Sequence, residues 1–127
     1  MKTFIIFLMI GIVFNFSMIE QAGSSNYIYK GMASWYSGED PGILETTANM
    51  EIFDDTELAC AIWDLPFNTL LKVTNLKNGQ HVTVRVNDRG PARRLVRQGR
   101  VIDLTKTAFQ EIADLKQGLA SVSIEIL

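Results

Sequence analysis

Residues 86–91, Val-Asn-Asp-Arg-Gly-Pro, form the stretch of this sequence that is best suited to chemistry. They end a β-rich run with the carboxyl of Asp88 and then force a turn through a Gly-Pro pair. A carboxyl at a strand end can take part in proton transfer. Asp88 is therefore the first catalytic candidate, and the alternative is that it caps the turn at Gly90 through backbone amides.

The composition excludes several other kinds of site. One Cys and one His cannot supply the four ligands of a structural zinc site, and a single Cys cannot form an intramolecular disulfide. We therefore predict no metal and no cofactor. A triad of Cys60, His81 and Asp88 is disfavoured because Cys60 lies in an apolar run and nothing places a base beside it. The net charge of −2 provides no basic field for nucleic acid, so no nucleic-acid partner is expected.

The N-terminus has the pattern of a secretory signal peptide. One positive charge at Lys2 precedes an apolar run at residues 4–16, which is too short to cross about 30 Å of hydrocarbon as a helix. Small residues at 22–24 predict cleavage after Ser24, and no Cys follows the cut to carry a lipid. We expect residues 1–24 to be removed and the product to be exported to a periplasm or the cell exterior, with no stable membrane anchor.

The elements that must position Asp88 are short strands. An Asn-Gly pair at residues 78–79 separates two β-rich runs and predicts an antiparallel hairpin. In the second run three valines alternate with His81, Thr83, Arg85 and Asn87, and the same alternation would bring Asp88 onto the valine face. The candidate strands cover residues 31–37, 57–63, 69–76, 80–87, 101–104 and 119–127.

One helical stretch lies near the C-terminus. Thr105 could cap a helix through Leu115, with apolar residues at four-residue spacing on one face. The pattern therefore predicts a mainly β domain over residues 31–127 with one short helix, preceded by a short segment at 25–30.

The motif order resembles the bacterial rare lipoprotein A (RlpA) family. Seven ordered motifs carry this resemblance over residues 31–127: they lie at 33–36 (Ala-Ser-Trp-Tyr), 47–49 (Thr-Ala-Asn), 51–54 (Glu-Ile-Phe-Asp), 65–67 (Leu-Pro-Phe), 73–76 (Val-Thr-Asn-Leu), 86–91 and 102–105 (Ile-Asp-Leu-Thr). The resemblance implies a six-stranded double-psi β-barrel, related in fold to plant expansins. It also implies lytic transglycosylase activity on peptidoglycan glycan strands that carry few stem peptides.

That implied reaction needs one carboxyl acting twice. The enzyme must protonate the glycosidic oxygen and then accept the proton of the C6 hydroxyl, whose oxygen closes a 1,6-anhydro ring. No water needs activation, which differs from ordinary glycoside hydrolysis with its pair of carboxylates. Asp88 is the predicted acid and base. Glu51 is a second predicted catalytic residue that orients substrate or assists Asp88, or else a capping residue.

The remaining predicted site residues would bind the glycan. Sugar rings pack on aromatic faces, so Tyr36 and Trp63 are predicted substrate contacts, as are Asn87 and Arg89 within the central motif. Arginines crowd the loop after Asp88, where they could attract anionic groups of the wall or form a solvated loop. These are Arg89, Arg93, Arg94, Arg97 and Arg100.

The sequence departs from the family pattern at one position of chemical importance. Ile62 stands where the family has its catalytic His, and a butyl group cannot transfer a proton. His81 cannot replace it, since it lies roughly 23 Å along the same strand from Asp88. Met50 and Asn68 also replace glycines. The alternative function is therefore a non-catalytic barrel that binds peptidoglycan or loosens the wall.

Overall fold

A computed structural model describes residues 28–127, so the predicted signal peptide lies outside the described residues. Six strands form the domain: β1 (Ile28–Tyr36), β2 (Ala59–Ala61), β3 (Leu70–Asn75), β4 (His81–Asp88), β5 (Arg100–Thr105) and β6 (Ala120–Ile126). The helices are short: α1 (Arg93–Val96), α2 (Lys106–Gln110) and a 3-10 turn at Leu115–Gln117. Within residues 28–127 no helix is long and apolar enough to cross a membrane.

The strands close into a barrel in the order β1-β5-β2-β4-β3-β6. β1 pairs with β5 and β2 with β4 in parallel, and the other neighbours run antiparallel. The predicted hairpin is β3–β4, in which Thr74 pairs with His81. Gly79 has a φ of 76° in its loop, a conformation open to glycine. The prediction of a mainly β, six-stranded barrel is confirmed.

Alternating apolar residues fill the barrel. Val82, Val84 and Val86 are at most 5% exposed and belong to the same buried cluster as Leu71 and Phe109. Burial of a side chain of this size contributes about 1.5–3 kcal/mol, so the interior positions of β4 are set by packing. The valine face predicted for this strand is confirmed.

The helical predictions need correction. Thr105 caps α2 as predicted, accepting a hydrogen bond from the Ala108 amide at 3.4 Å, but the helix ends at Gln110 rather than Leu115. Asp114 has an extended backbone and its side chain caps a separate turn through the Lys116 amide, so the helix cannot continue. α1 lies in the segment predicted to be a loop.

β1 begins earlier than predicted. Ile28 already pairs with Glu125 of β6, so residues 28–30 belong to the barrel and not to a separate N-terminal segment. The long β6 strand provides hydrogen-bond partners for this extension, which the sequence of β1 alone does not show.

Candidate functional site

Asp88 ends β4 directly after a break in the strand register. Cys60 pairs with Val86 and Ala61 pairs with Asp88, so Asn87 is an extra residue in β4. Such a bulge interrupts strict alternation. The expectation that Asp88 simply continues the valine face is therefore wrong: Asn87 is buried, and the half-buried Asp88 carboxyl faces a loop. Asn87 Oδ1 is buried without a hydrogen-bond partner among the described residues.

Three groups donate hydrogen bonds to the Asp88 carboxyl. The backbone amides of Ala48 and Arg89 each donate to Oδ1 at 2.9 Å, and the Tyr36 hydroxyl lies 3.5 Å from Oδ2. Burial, followed by the charge of Asp88, raises the pKa of Tyr36 well above its ordinary value. Tyr36 thus stays a protonated donor to the Asp88 carboxyl.

The structure brings Tyr36 to Asp88 but corrects the form of its predicted contact. Tyr36 as a residue is 9% exposed, and its ring centroid lies 4.9 Å from that of Phe53. A covered ring is no open platform for a sugar, so only the Tyr36 hydroxyl can serve the site.

Asp88 lines an open cavity of about 430 Å³, which we call the Asp88 pocket. Its walls are mostly apolar, and Leu44 and Met50 on its rim are 74% and 80% exposed. The other residues that line it are Gly42, Ile43, Thr46, Thr47, Ala48 and Phe53. One carboxyl in an apolar wall suits a ligand that presents both apolar faces and hydroxyl groups, as sugars do.

Glu51 is held as an ion. Arg85 donates to both of its carboxylate oxygens, at 2.7 and 2.8 Å, and Asn49 Nδ2 donates at 2.7 Å. These bonds, that of Arg85 above all, lower the pKa of Glu51 to about 2. Glu51 therefore has no proton to donate near neutral pH. This geometry allows the predicted supporting role of Glu51 but not a role as an acid.

Trp63 and Ile62 line a different cavity of about 300 Å³, the Trp63 pocket, together with Tyr29, Asp64, Leu65, Val96 and Val101. Trp63 Nε1 donates to the Pro91 carbonyl at 2.6 Å, and the Arg93 guanidinium lies 4.0 Å from the ring centroid. Ile62 is 3% exposed. The structure therefore does not bring Trp63 into the Asp88 pocket.

The guanidinium of Arg89 is occupied by the protein. It donates to the carbonyls of Ile62 at 3.1 Å and Leu65 at 2.7 Å and stacks on Phe67, with the centroid 3.9 Å away. Arg89 thus holds the segment after β2, which leaves its side chain less free for substrate than predicted. Arg93, another arginine of the predicted cluster, is also occupied by the protein, since it stacks on Trp63.

Cys60 and His81 lie in different environments. Cys60 is fully buried, and this burial raises the pKa of its thiol, whereas His81 is exposed at the start of β4. Among residues 28–127 no group of three His, Cys, Asp or Glu side chains could hold a metal ion.

Sequence reasoning missed a second carboxyl beside the site. Ala61 pairs with Asp88 on one side and with Asp103 of β5 on the other. Asp103 accepts hydrogen bonds from Ser34 and from Arg100 Nη2, the latter at 3.3 Å, and Arg100 Nε donates to Ser34 at 2.7 Å. The Ile-Asp-Leu-Thr motif was the available indication, and strand order was the missing information.

Comparisons with known proteins found related sequences. A family model described as "Lytic transglycolase" matches residues 28–124. The endolytic peptidoglycan transglycosylase RlpA of Campylobacter jejuni is 44% identical over 76% of this chain and 33% of its own length. The RlpA of Vibrio cholerae is 42% identical over 76% of this chain and 35% of its own. The chain thus spans about a third of the length of these relatives.

Solved structures support the fold alone. The Streptomyces papain inhibitor aligns with a TM-score of 0.62 at 20% identity, covering 80% of this chain and 94% of the inhibitor. The expansin of Clavibacter michiganensis aligns with a TM-score of 0.60 at 21% identity, covering 80% of this chain and 50% of the expansin. Together with the family match, these neighbours confirm the double-psi β-barrel.

Proposed function

Because the chain belongs to the RlpA family of lytic transglycosylases, we propose that it is an exported enzyme that cleaves peptidoglycan glycan strands, preferably without stem peptides, to 1,6-anhydromuramyl ends. The observation that carries this proposal is the Asp88 carboxyl on the wall of an open, largely apolar cavity. Export rests on the pattern of residues 1–24 and on the wall substrate named for the relatives.

Asp88 carries both proton transfers. The protonated carboxyl gives its proton to the glycosidic oxygen as the bond from that oxygen to the anomeric carbon breaks. The C6 hydroxyl oxygen of the muramic sugar then bonds to the anomeric carbon, and its proton passes to the Asp88 carboxylate. The Ala48 amide at 2.9 Å stabilises the carboxylate between the two steps, and the Tyr36 hydroxyl supports it. The carboxyl ends protonated, as it began.

The walls of the Asp88 pocket fit such a substrate. Exposed Leu44 and Met50 can pack against sugar faces and N-acetyl methyl groups, while no lysine or arginine among residues 28–127 lines this cavity to bind the acidic groups of stem peptides. This composition supports a preference for peptide-free strands.

A second candidate function is a wall-binding barrel without catalysis. Ile62 favours it, because this residue is buried in the Trp63 pocket and offers no proton-transfer group. In that case the Tyr36 hydroxyl and the Asp88 carboxyl would serve as polar contacts for the glycan, and Trp63 would bind it in the separate Trp63 pocket.

The test is mass spectrometry of soluble products from residues 25–127 incubated with intact and with peptide-stripped sacculi. Anhydromuramyl-terminated fragments from the parent, and none from Asp88→Asn, are the result that the enzyme predicts. If the parent releases no such fragments yet sediments with the sacculi, the protein is the binding barrel. A parent that neither cleaves nor sediments would contradict both functions.

A further inference from the structure

The Asp88 carboxyl depends on a loop that has no strand partner of its own. The loop at residues 47–51, called here the Ala48 loop, closes on itself through Thr47 N–H to the Glu51 carbonyl at 2.8 Å and Met50 N–H to the Thr47 carbonyl at 2.9 Å. Ala48 and Met50 are exposed, whereas Thr47 is buried. Beyond Thr47, the place of this turn on the barrel depends on polar contacts.

Four contacts join the Ala48 loop to β4: one is from Asn87 Nδ2 to Glu51 Oε2 at 3.5 Å, and the other three follow antiparallel order. Glu51 meets Arg85, the Asn49 amide meets the Asn87 carbonyl at 3.3 Å, and the Ala48 amide meets Asp88. Each step forward along β4 is a step back along the loop, as in a strand pair. The Ala48 amide therefore reaches Asp88 only in the register that the contact at the other end sets.

The Arg85–Glu51 contact is the strongest of the four. It has two parallel charge-assisted hydrogen bonds at 2.7 and 2.8 Å, a geometry that fixes direction as well as distance. Arg85 is itself held from the barrel side, since Nη1 donates to Asn68 Oδ1 at 2.9 Å and Nη2 lies 3.4 Å from Glu57. A guanidinium fixed on both sides cannot slide by one residue.

We propose that Arg85 is a positioning residue, which sets the register of the Ala48 loop through Glu51 and so presents the Ala48 amide to the Asp88 carboxyl. The effect of Arg85 on cleavage rests on the proposed function, whereas its effect on the position of the Ala48 amide is independent of that function. A lysine offers a point charge in place of the two-pronged contact and should restore the position only in part.

The first experiment follows the Ala48 amide by NMR across a pH titration of residues 25–127. In the parent its proton shift should move with ionisation of Asp88, and in Asp88→Asn that step should vanish. Arg85→Gln and Glu51→Gln should each reduce the amplitude of the step at least twofold, with Arg85→Lys between them and the parent. Lys72→Gln, which removes a cation from β3, should leave it unchanged.

The kinetic arm measures cleavage of peptide-stripped strands by the same variants. Arg85→Gln should lower kcat about ten- to a hundredfold, as misplacement of a catalytic group does, with a smaller effect on KM. The double variant Arg85→Gln/Glu51→Gln should lose no more than either single variant, because both remove one contact.

The outcomes separate the two proposals. If Arg85→Gln stays folded and its Ala48 amide titrates as in the parent, the positioning role is refuted whether or not the protein cleaves glycan. If the amide step collapses as expected but the parent releases no anhydromuramyl product, the positioning role stands and the enzymatic function fails.

Discussion

The Asp88 pocket and the Trp63 pocket share no lining residue, and they differ in what holds them. The first places its carboxyl by polar contacts from the Ala48 amide, the Arg89 amide and Tyr36. The second is packed from Ile62, Leu65 and the Trp63 ring, which Arg93 covers.

The donors to Asp88 are independent of the side chain at position 62. The donors to Asp88 come from β1, from the Ala48 loop and from the backbone of its own strand end, and Ile62 contributes only its amide, to the Asp88 carbonyl at 3.2 Å. A side-chain change at position 62 therefore alters the packing of one pocket and leaves the hydrogen bonds of the other in place.

The largest expected effect comes from removing the carboxyl. Asp88→Asn should lower the rate of anhydromuramyl product release by about 10²–10⁴-fold, which is the usual contribution of a general acid or base. The rate is measured by mass spectrometry of soluble fragments. Asp114→Asn is the matched control, because asparagine caps a turn as well as aspartate does. Cleavage by Asp88→Asn at the parent rate would remove Asp88 from the mechanism.

The next effect tests the other pocket. Ile62→His should destabilise the fold by about 1–3 kcal/mol, because it buries a polar ring among apolar neighbours. It should also fail to raise the cleavage rate, since position 62 faces the Trp63 pocket and not Asp88. Urea unfolding measures the first and product release the second. Ile62→Val should destabilise the fold by about 0.5–1.5 kcal/mol and so measures the loss of packing without burial of a polar group. A higher cleavage rate in Ile62→His would contradict this and show that position 62 acts together with Asp88.

A smaller, favourable effect is expected on the rim of the Asp88 pocket. Met50 has a φ of 72° and an exposed side chain, so it carries the strain of a left-handed backbone with little packing in return. Met50→Gly should raise the stability by up to about 1 kcal/mol, measured by thermal unfolding. Asn68, with the same φ of 72°, is the control: asparagine tolerates this region and its side chain accepts from Arg85, so Asn68→Gly should gain nothing. Equal gains would point to a cause other than strain.

The smallest effect is the response of the Arg85–Glu51 pair to acid. The pKa of Glu51 falls from its usual 4.5 to about 2 on folding, so its contribution is complete above pH 4.5 and disappears as the pH falls to about 2. The contribution should stay below about 1 kcal/mol, because the Glu51 side chain is 36% exposed. Urea midpoints at pH 5 and pH 2.5 measure it, and Glu51→Gln should show a shallower decline over that window. An identical decline would mean that this pair adds no net stability.

Local patterns predicted the strands well and the site only in part. The valine alternation of β4, the Asn-Gly turn and the Thr105 cap each depend on neighbours in sequence, and each was confirmed. The bulge at Asn87 depends on the register of β2 against β4, which no single strand encodes.

The parts of the site that escaped prediction are those formed across the barrel. The donor at Ala48 is a backbone amide, which any residue type provides, and its position depends on Arg85 from another segment. Asp103 lies beside Ala61 only because β2 is inserted between β4 and β5. Trp63 and Arg89 had suitable side chains, but Trp63 donates to the Pro91 carbonyl after β4 and Arg89 donates to the Leu65 carbonyl after β2, and these contacts fix both side chains elsewhere.

The closure of the barrel through β1 and β6 also governs when this domain can fold. Ile28 pairs with Glu125, and β6 completes the edges of both β1 and β3. Such contacts between distant residues slow folding, to about milliseconds to seconds in small β proteins. The barrel stays open until β6 has paired, with two unpaired edges that could join other chains. The pairing of residues 120–126 is therefore the step after which the chain is protected from aggregation through those edges.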